Sequence, residues 1–147
     1  MKRNLFAKLC YLHRQMKRTN EKLFEEYDLT PIQFHALSII RNAQERGEKA
    51  RPKDVENGTN LRPSAVSTML TTLEKKGYVV RKQHEADARQ KYLELTEKGF
   101  KASDDDKSHL DECDEVIQTA LSEKEQEEFD TLLNKIIVQI NGQEDLW

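Results

Sequence analysis

Short side chains gather at Ser64, Ala65, Ser67, Thr68 and Thr71, and cations follow at Arg81, Lys82, Arg89 and Lys91. Hydroxyls donate to or accept from base edges, and an Ala or Thr methyl fits against the thymine methyl. Lys and Arg bind phosphates, and an arginine at a loop tip suits a narrow minor groove. Short residues near a helix start let the backbone approach the bases, where long apolar ones would hold it away. This set is therefore equipped to read a DNA duplex. Catalytic chemistry has no comparable set. The chain has no G-x-S-x-G, P-loop, H-E-x-x-H or paired C-x-x-C, so neither enzymatic activity nor a cofactor is expected.

These residues need a helix and a hairpin to carry them. Val66, Met69, Leu70 and Leu73 fall at i, i+3, i+4 and i+7, one apolar helix face opposite the hydroxyls. Pro63 suits the first helical position, and Lys75-Lys76-Gly77 suits the end. Residues 78–82 and 91–95 are β-branched, aromatic and basic runs around a polar stretch at 83–90. That pattern predicts a two-stranded hairpin with a charged tip. Helix plus basic-tipped hairpin is the pattern of a winged helix-turn-helix, so the fold class is mainly α with a small β-hairpin wing.

The flanks read as helical. Residues 5–27 carry Leu5, Leu9, Leu12, Met16, Leu23, Phe24 and Tyr27 on a helical repeat. Thr30 caps and Pro31 starts a second helix with Phe34, Leu37, Ile40 and Ile39 on its inner side. Residues 42–50 read as a loop, 54–57 as a short helix and 58–61 as the turn before the small-residue helix. A helix follows from Phe100, and its Asp104-Asp105-Asp106 run reads as a solvated face. Ser122 and Glu125 form a capping box. The last helix shows a stripe of Phe129, Leu132, Leu133, Ile136, Ile137 and Ile140. A winged lobe does not use that stripe, and a two-fold dimer sharing terminal helices is the economical way to cover it.

A net charge of −3 for the 147 residues is unexpected for a DNA binder, but the charge is unevenly spread. Residues 41–101 hold 14 Lys/Arg against 9 Asp/Glu, a net +5, while 102–147 hold 3 against 14, a net −11. The local field at the helix and hairpin is what attracts nucleic acid. No run is long enough for a membrane span or secretory signal, so no membrane partner and a cytoplasmic setting are expected. Cys10 and Cys113 lack metal-ligand spacing and are expected as reduced thiols.

Several residues match a known family. Leu29-Thr30, Gln33, Leu37, Pro63-Ser64, Val66-Ser67, Leu73-Glu74-Lys75-Lys76-Gly77, Arg81, Asp87-Ala88-Arg89 and Leu95-Thr96-Glu97-Lys98-Gly99 stand in the order and spacing of the MarR (multiple antibiotic resistance regulator) family. The chain resembles that family along essentially its whole length. Arg62, where a small capping residue is usual, and Glu56, where a small apolar one is common, depart from the pattern. The resemblance implies a DNA-reading region at 30–98 and helical dimerisation regions at 1–29 and 99–147. It implies a homodimer on a pseudo-palindromic double-stranded operator, with repression released by a small organic effector. Ser64, Ala65, Ser67 and Thr68 would lie nearest the bases. Arg62, Thr71, Lys75, Arg81 and Lys91 would lie nearest phosphates. Arg89, oriented by Asp87, would supply the wing contact. The effector would sit among Tyr11, Met16, His35 and Ile39. Three alternatives stay open: redox sensing through Cys10, zinc sensing through His35 with His109 or Cys113, and a winged helix used only for protein contacts.

Overall fold

A computed structural model describes residues 4–141. The elements run α1 (Leu5–Tyr27), α2 (Pro31–Glu45), α3 (Pro52–Thr59), α4 (Pro63–Lys75), β1 (Val79–His84), β2 (Asp87–Leu95), α5 (Glu97–Ala120) and α6 (Glu123–Asn141). The chain divides into two units, one ending at Lys107 and one starting at Ser108, with α5 running from the first into the second. None of the described helices is long and apolar enough to cross a membrane. The residues after 141, with terminal Trp147, lie outside the described part.

Local chemistry sets most boundaries of the first unit. Asp28 ends α1 in the left-handed region at φ 49°, and the Leu29 N–H returns to the Phe24 carbonyl at 3.1 Å. Gln33 Oε1 accepts the Thr30 N–H at 2.9 Å, half of a capping box at the start of α2. Three helix limits differ from the sequence expectation. Helix α2 continues through 42–45, because Ala43 is buried and Arg41 pairs with Glu45 at 2.7 Å; the turn comes at Gly47, with φ 74°. Helix α3 spans eight residues, because Asp54 accepts the Arg51 N–H at 2.7 Å at one end and left-handed Asn60 stops it at the other. Gly58 therefore lies inside α3, where a Cβ would meet the Ile39 side chain of α2. The strands also reach further into the polar stretch, leaving Glu85-Ala86 as the turn between His84 and its partner Asp87.

The core draws on every helix of the first unit. Phe34, Leu37 and Ile40 of α2, Val55 of α3, Val66, Leu70 and Leu73 of α4, and Leu93 of β2 are each at most 1% exposed. Burying a side chain of this size contributes about 1.5–3 kcal/mol. The hairpin is antiparallel, with Arg81 opposite Leu93 and Val79 opposite Leu95. A bridge from Ala50 to Leu93 adds a third short edge. In the second unit no described residue is buried within the chain, and Val116, Leu132, Ile136 and Ile140 are exposed.

Where α4 ends and β1 begins, Tyr78 is buried and its hydroxyl donates to the Tyr27 carbonyl at 2.5 Å. Thr96 donates its hydroxyl to the Gly77 carbonyl at 2.6 Å and accepts the Gly99 N–H at 3.1 Å, which caps α5. A Cβ on Gly99 would collide with the Tyr78 carbonyl oxygen. Backbone cannot step aside as a side-chain end can, so Gly99→Ala should cost about 1–3 kcal/mol as overpacking. Urea unfolding would measure it; a loss under about 0.5 kcal/mol, the scale of a neutral surface change, would contradict the fit.

Candidate nucleic-acid interface

Helix α4 turns Val66, Met69, Leu70 and Leu73 into the core, which leaves Ser64, Ala65, Ser67, Thr68, Thr71 and Lys75 exposed on the opposite side. The threonine hydroxyls are partly committed. Thr68 donates to the Ser64 carbonyl at 3.1 Å, and Thr71 to the Ser67 carbonyl at 2.9 Å. Such back-bonding uses the hydroxyl proton. Each threonine then offers an outside partner its methyl and its oxygen as an acceptor. Arg62 occupies the N-cap without a side-chain cap, so the first N–H groups of α4 remain open to an anion. Its side chain is exposed beside them.

The wing residues divide in two. Arg81, expected at phosphates, is half-buried and turned onto α4, its Nε 3.0 Å from Glu74 and a terminal nitrogen 3.5 Å from the Thr71 hydroxyl. It ties the wing to α4. Glu74, its carboxylate partner, carries no signal in the sequence beyond its place in Leu73-Glu74-Lys75-Lys76-Gly77. Lys76 is similarly used, pairing with the Asp28 carboxylate at 2.8 Å and donating to the Asp28 carbonyl. That pairing holds the Asp28 carboxyl below its ordinary value. Arg89 and Lys91, by contrast, are exposed on β2. Asp87 accepts the Arg89 backbone N–H at 3.0 Å, so its carboxylate shapes the chain at the tip.

The remaining candidates lie on α1, α2 and α5. Tyr11 is exposed and lies with Ala7, Lys8 and Leu12 along a shallow depression on α1, and Met16 is half-buried on the same helix. His35 and Ile39 meet α3 at Gly58. Burial lowers the His35 pKa against an opposing backbone hydrogen bond at Gly58. Cys10 is half-buried. Farther along, Cys113 Sγ lies 3.4 Å from His109 Nε2, and burial raises the Cys113 pKa, with Glu112 and Asp114 adding to it. Among the described residues no three His, Cys, Asp or Glu side chains gather as a metal site. The Asp104-Asp105-Asp106 run is solvated only in part: Asp104 is exposed and pairs with Arg41, Asp105 accepts the Tyr27 hydroxyl, and Asp106 is buried.

The sequence pattern of the MarR family matches residues 27–90, from the end of α1 into the wing. Over those residues the chain is similar to the MarR family. Over 78 residues it is 35% identical to the HTH-type transcriptional regulator YdcH of Bacillus subtilis, covering 53% of this chain and 53% of that one. The HTH-type transcriptional regulator MgrA of Staphylococcus aureus is 28% identical over 141 residues, 91% of this chain and 90% of that one. The S. aureus MepR structure in its DNA-binding conformation superposes with a TM-score of 0.76 at 26% identity, over 93% of this chain and 96% of that one. The Bacillus relatives are spanned for 53–60% of their own length. Within the matched residues, Arg81 is paired with Glu74 and Arg89 is exposed.

Arg81→Ala and Glu74→Ala should each lower stability by up to about 1 kcal/mol, and the double variant should cost little more than either single. Arg89→Ala should leave the unfolding midpoint unchanged. Fully additive losses at 74 and 81 would show that the pair does not hold the wing.

Proposed function

We propose that this chain is a homodimeric transcriptional regulator that binds a pseudo-palindromic DNA operator and represses the adjoining genes until a small organic molecule releases it. The observation that carries this reading is the exposed, small-residue face of α4 beside a hairpin that carries exposed Arg89 on β2. Ser64, Ala65, Ser67 and Thr68 approach base edges in the major groove. Arg62, Thr71, Lys75 and Lys91 meet phosphates. Arg89 enters the adjacent minor groove, where narrowing strengthens the negative potential. MepR, a similar protein, has been solved with DNA bound.

Dimerisation is supported by apolar surface that the chain does not cover. Leu5, Phe6, Leu9 and Leu12 of α1, Leu110 and Val116 of α5, and Leu132, Ile136 and Ile140 of α6 are all between 41% and 75% exposed. An α-helix that keeps such a stripe in water forgoes most of its burial free energy. A second copy offers the same stripes under two-fold symmetry. The dimerisation helices are those of 1–29 and 99–147, and the winged region is 30–98. Symmetry then sets two half-sites about 34 Å apart, one turn of the duplex.

The effector reading places an amphipathic organic ligand near Tyr11, Met16, His35 and Ile39. MepR has been solved with ethidium bromide bound. A ligand that favours one separation of the two winged lobes shifts the population toward it, and linkage changes operator affinity by the same factor.

A gel shift on the DNA upstream of its own gene tests the function directly. Wild type should bind at moderate salt, and Arg89→Ala should bind more weakly by about 1–3 kcal/mol with its fold intact. Unchanged affinity for Arg89→Ala would remove the wing contact; no binding by wild type would favour a winged helix that contacts protein. Sedimentation should give a dimer at micromolar concentration, lost when Ile136 and Ile137 are both replaced by Glu. A monomeric wild type would overturn the dimer.

A further inference from the structure

The chain Lys49-Ala50-Arg51 passes the outer edge of the wing before α3 begins. Ala50 is fully buried and its carbonyl accepts the Leu93 N–H at 2.7 Å. Alternation along an extended segment then places Lys49 and Arg51 on the other face of this edge, with Tyr92. Lys49 Nζ sits 4.7 Å above the Tyr92 ring, a cation–π contact that fixes the ammonium at the sheet surface. The result is a cleft of about 220 Å³ lined by Lys49, Arg51, His84, Gln90, Lys91 and Tyr92.

Three permanent cations line this cleft and no carboxylate does. Asp54, the carboxylate paired with Arg51, is committed to the Arg51 backbone N–H at 2.7 Å and lies 3.7 Å from the Arg51 guanidinium, which is itself 63% exposed. Like charges around a concave surface focus a positive potential. The volume is below the roughly 300–1,000 Å³ of ordinary small-molecule pockets. Ammonium and guanidinium cations lining so small a space suit a single oxyanion.

We propose that this cleft takes a backbone phosphate of the DNA duplex, on the flank of the wing away from the edge that Arg81 holds against α4. The inference rests on the DNA-binding reading and adds to it a contact point made by Lys49 and Arg51. Position along β2 favours DNA over a free anion. Gln90 and Lys91 follow Arg89 directly, so the cleft begins within about 7 Å of Arg89 at a strand rise of about 3.3 Å per residue. A duplex with Arg89 in its minor groove brings the phosphates bordering that groove to the same flank. The operator footprint therefore extends outward beyond the bases that α4 reads.

The test compares full-length wild type with Lys49→Ala/Arg51→Ala across a series of salt concentrations. Two duplexes are used, one ending at the wing contact and one extended by ten base pairs on each side. Both substituted side chains are exposed, and the Asp54 cap uses backbone, so the fold is expected to persist; circular dichroism checks it. On the extended duplex the variant should bind about ten-fold more weakly, with a log–log salt slope shallower by about 1.8, the value for two lost phosphate contacts. The Lys49→Arg variant should retain the wild-type slope. Equal affinity and slope for wild type and double variant on the extended duplex would overturn the cleft while leaving the DNA reading intact. Absence of wild-type binding to either duplex would overturn both. Inorganic phosphate bound by calorimetry at sub-millimolar Kd, with the salt slope unchanged in the double variant, would assign the cleft to a free ligand and overturn the proposal.

Discussion

The buried hydroxyl of Tyr78, donating to the carbonyl of Tyr27, is the contact on which the arrangement of the first unit rests. It lies where four elements meet: the ends of α1 and α4 and the starts of β1 and α5. Removing one partner of a buried hydrogen bond costs about 1–3 kcal/mol, more than the bond contributes net. The surrounding contacts share that geometry. Lys98 sits 4.3 Å above the Tyr78 ring and donates to the Lys76 carbonyl, Thr96 closes onto Gly77, and Gly99 admits the Tyr78 carbonyl because it has no Cβ. The Leu95-Thr96-Glu97-Lys98-Gly99 run is thereby explained as a lock: Leu95 in the core, Thr96 as cap, Lys98 across the ring and Gly99 at the close approach.

This lock bears on recognition because it sets the angle between helix and wing. Arg81 and Glu74 add a second tie, so the small-residue face of α4 and the wing belong to one body. A surface held in its binding geometry loses less conformational freedom on association. Arg81 is thereby engaged with α4, while Arg62, Lys75 and Lys91 stay exposed. Electrostatics divides the chain the same way. The acidic residues concentrate after 101, and those of 104–106 anchor α5 to Arg41 and Tyr27.

Much of this architecture was legible in the sequence. The 3.6-residue repeat of Val66, Met69, Leu70 and Leu73 marked α4, and Thr30-Pro31 and Lys75-Lys76-Gly77 marked helix ends, because those signals are local. The misreadings came from tertiary causes. Residues 42–45 look like a polar loop, yet burial of Ala43 and the Arg41 ion pairs extend α2. Gly58 reads as a breaker, but it lies inside α3 where Ile39 packs close. Gln83, His84 and Asp87 join the strands because the hairpin ladder pairs Gln83 with Lys91 and His84 with Asp87, across a register irregularity between 83 and 84. Arg81 and Arg89 are indistinguishable as letters; only the position of Glu74 across the α4–β1 junction separates their roles. Lys49 and Arg51 gave no signal, since the bridge that brings them to the wing joins residues 43 apart in sequence.

The most direct test of the account is selection of duplexes by the wild-type protein from a pool of random sequence, read by sequencing. A preformed α4–wing surface, duplicated by two-fold symmetry, predicts enrichment of an inverted repeat with half-site centres about 10–10.5 base pairs apart. Recovery of DNA with no enriched sequence, or of a single half-site without its symmetry mate, would contradict it.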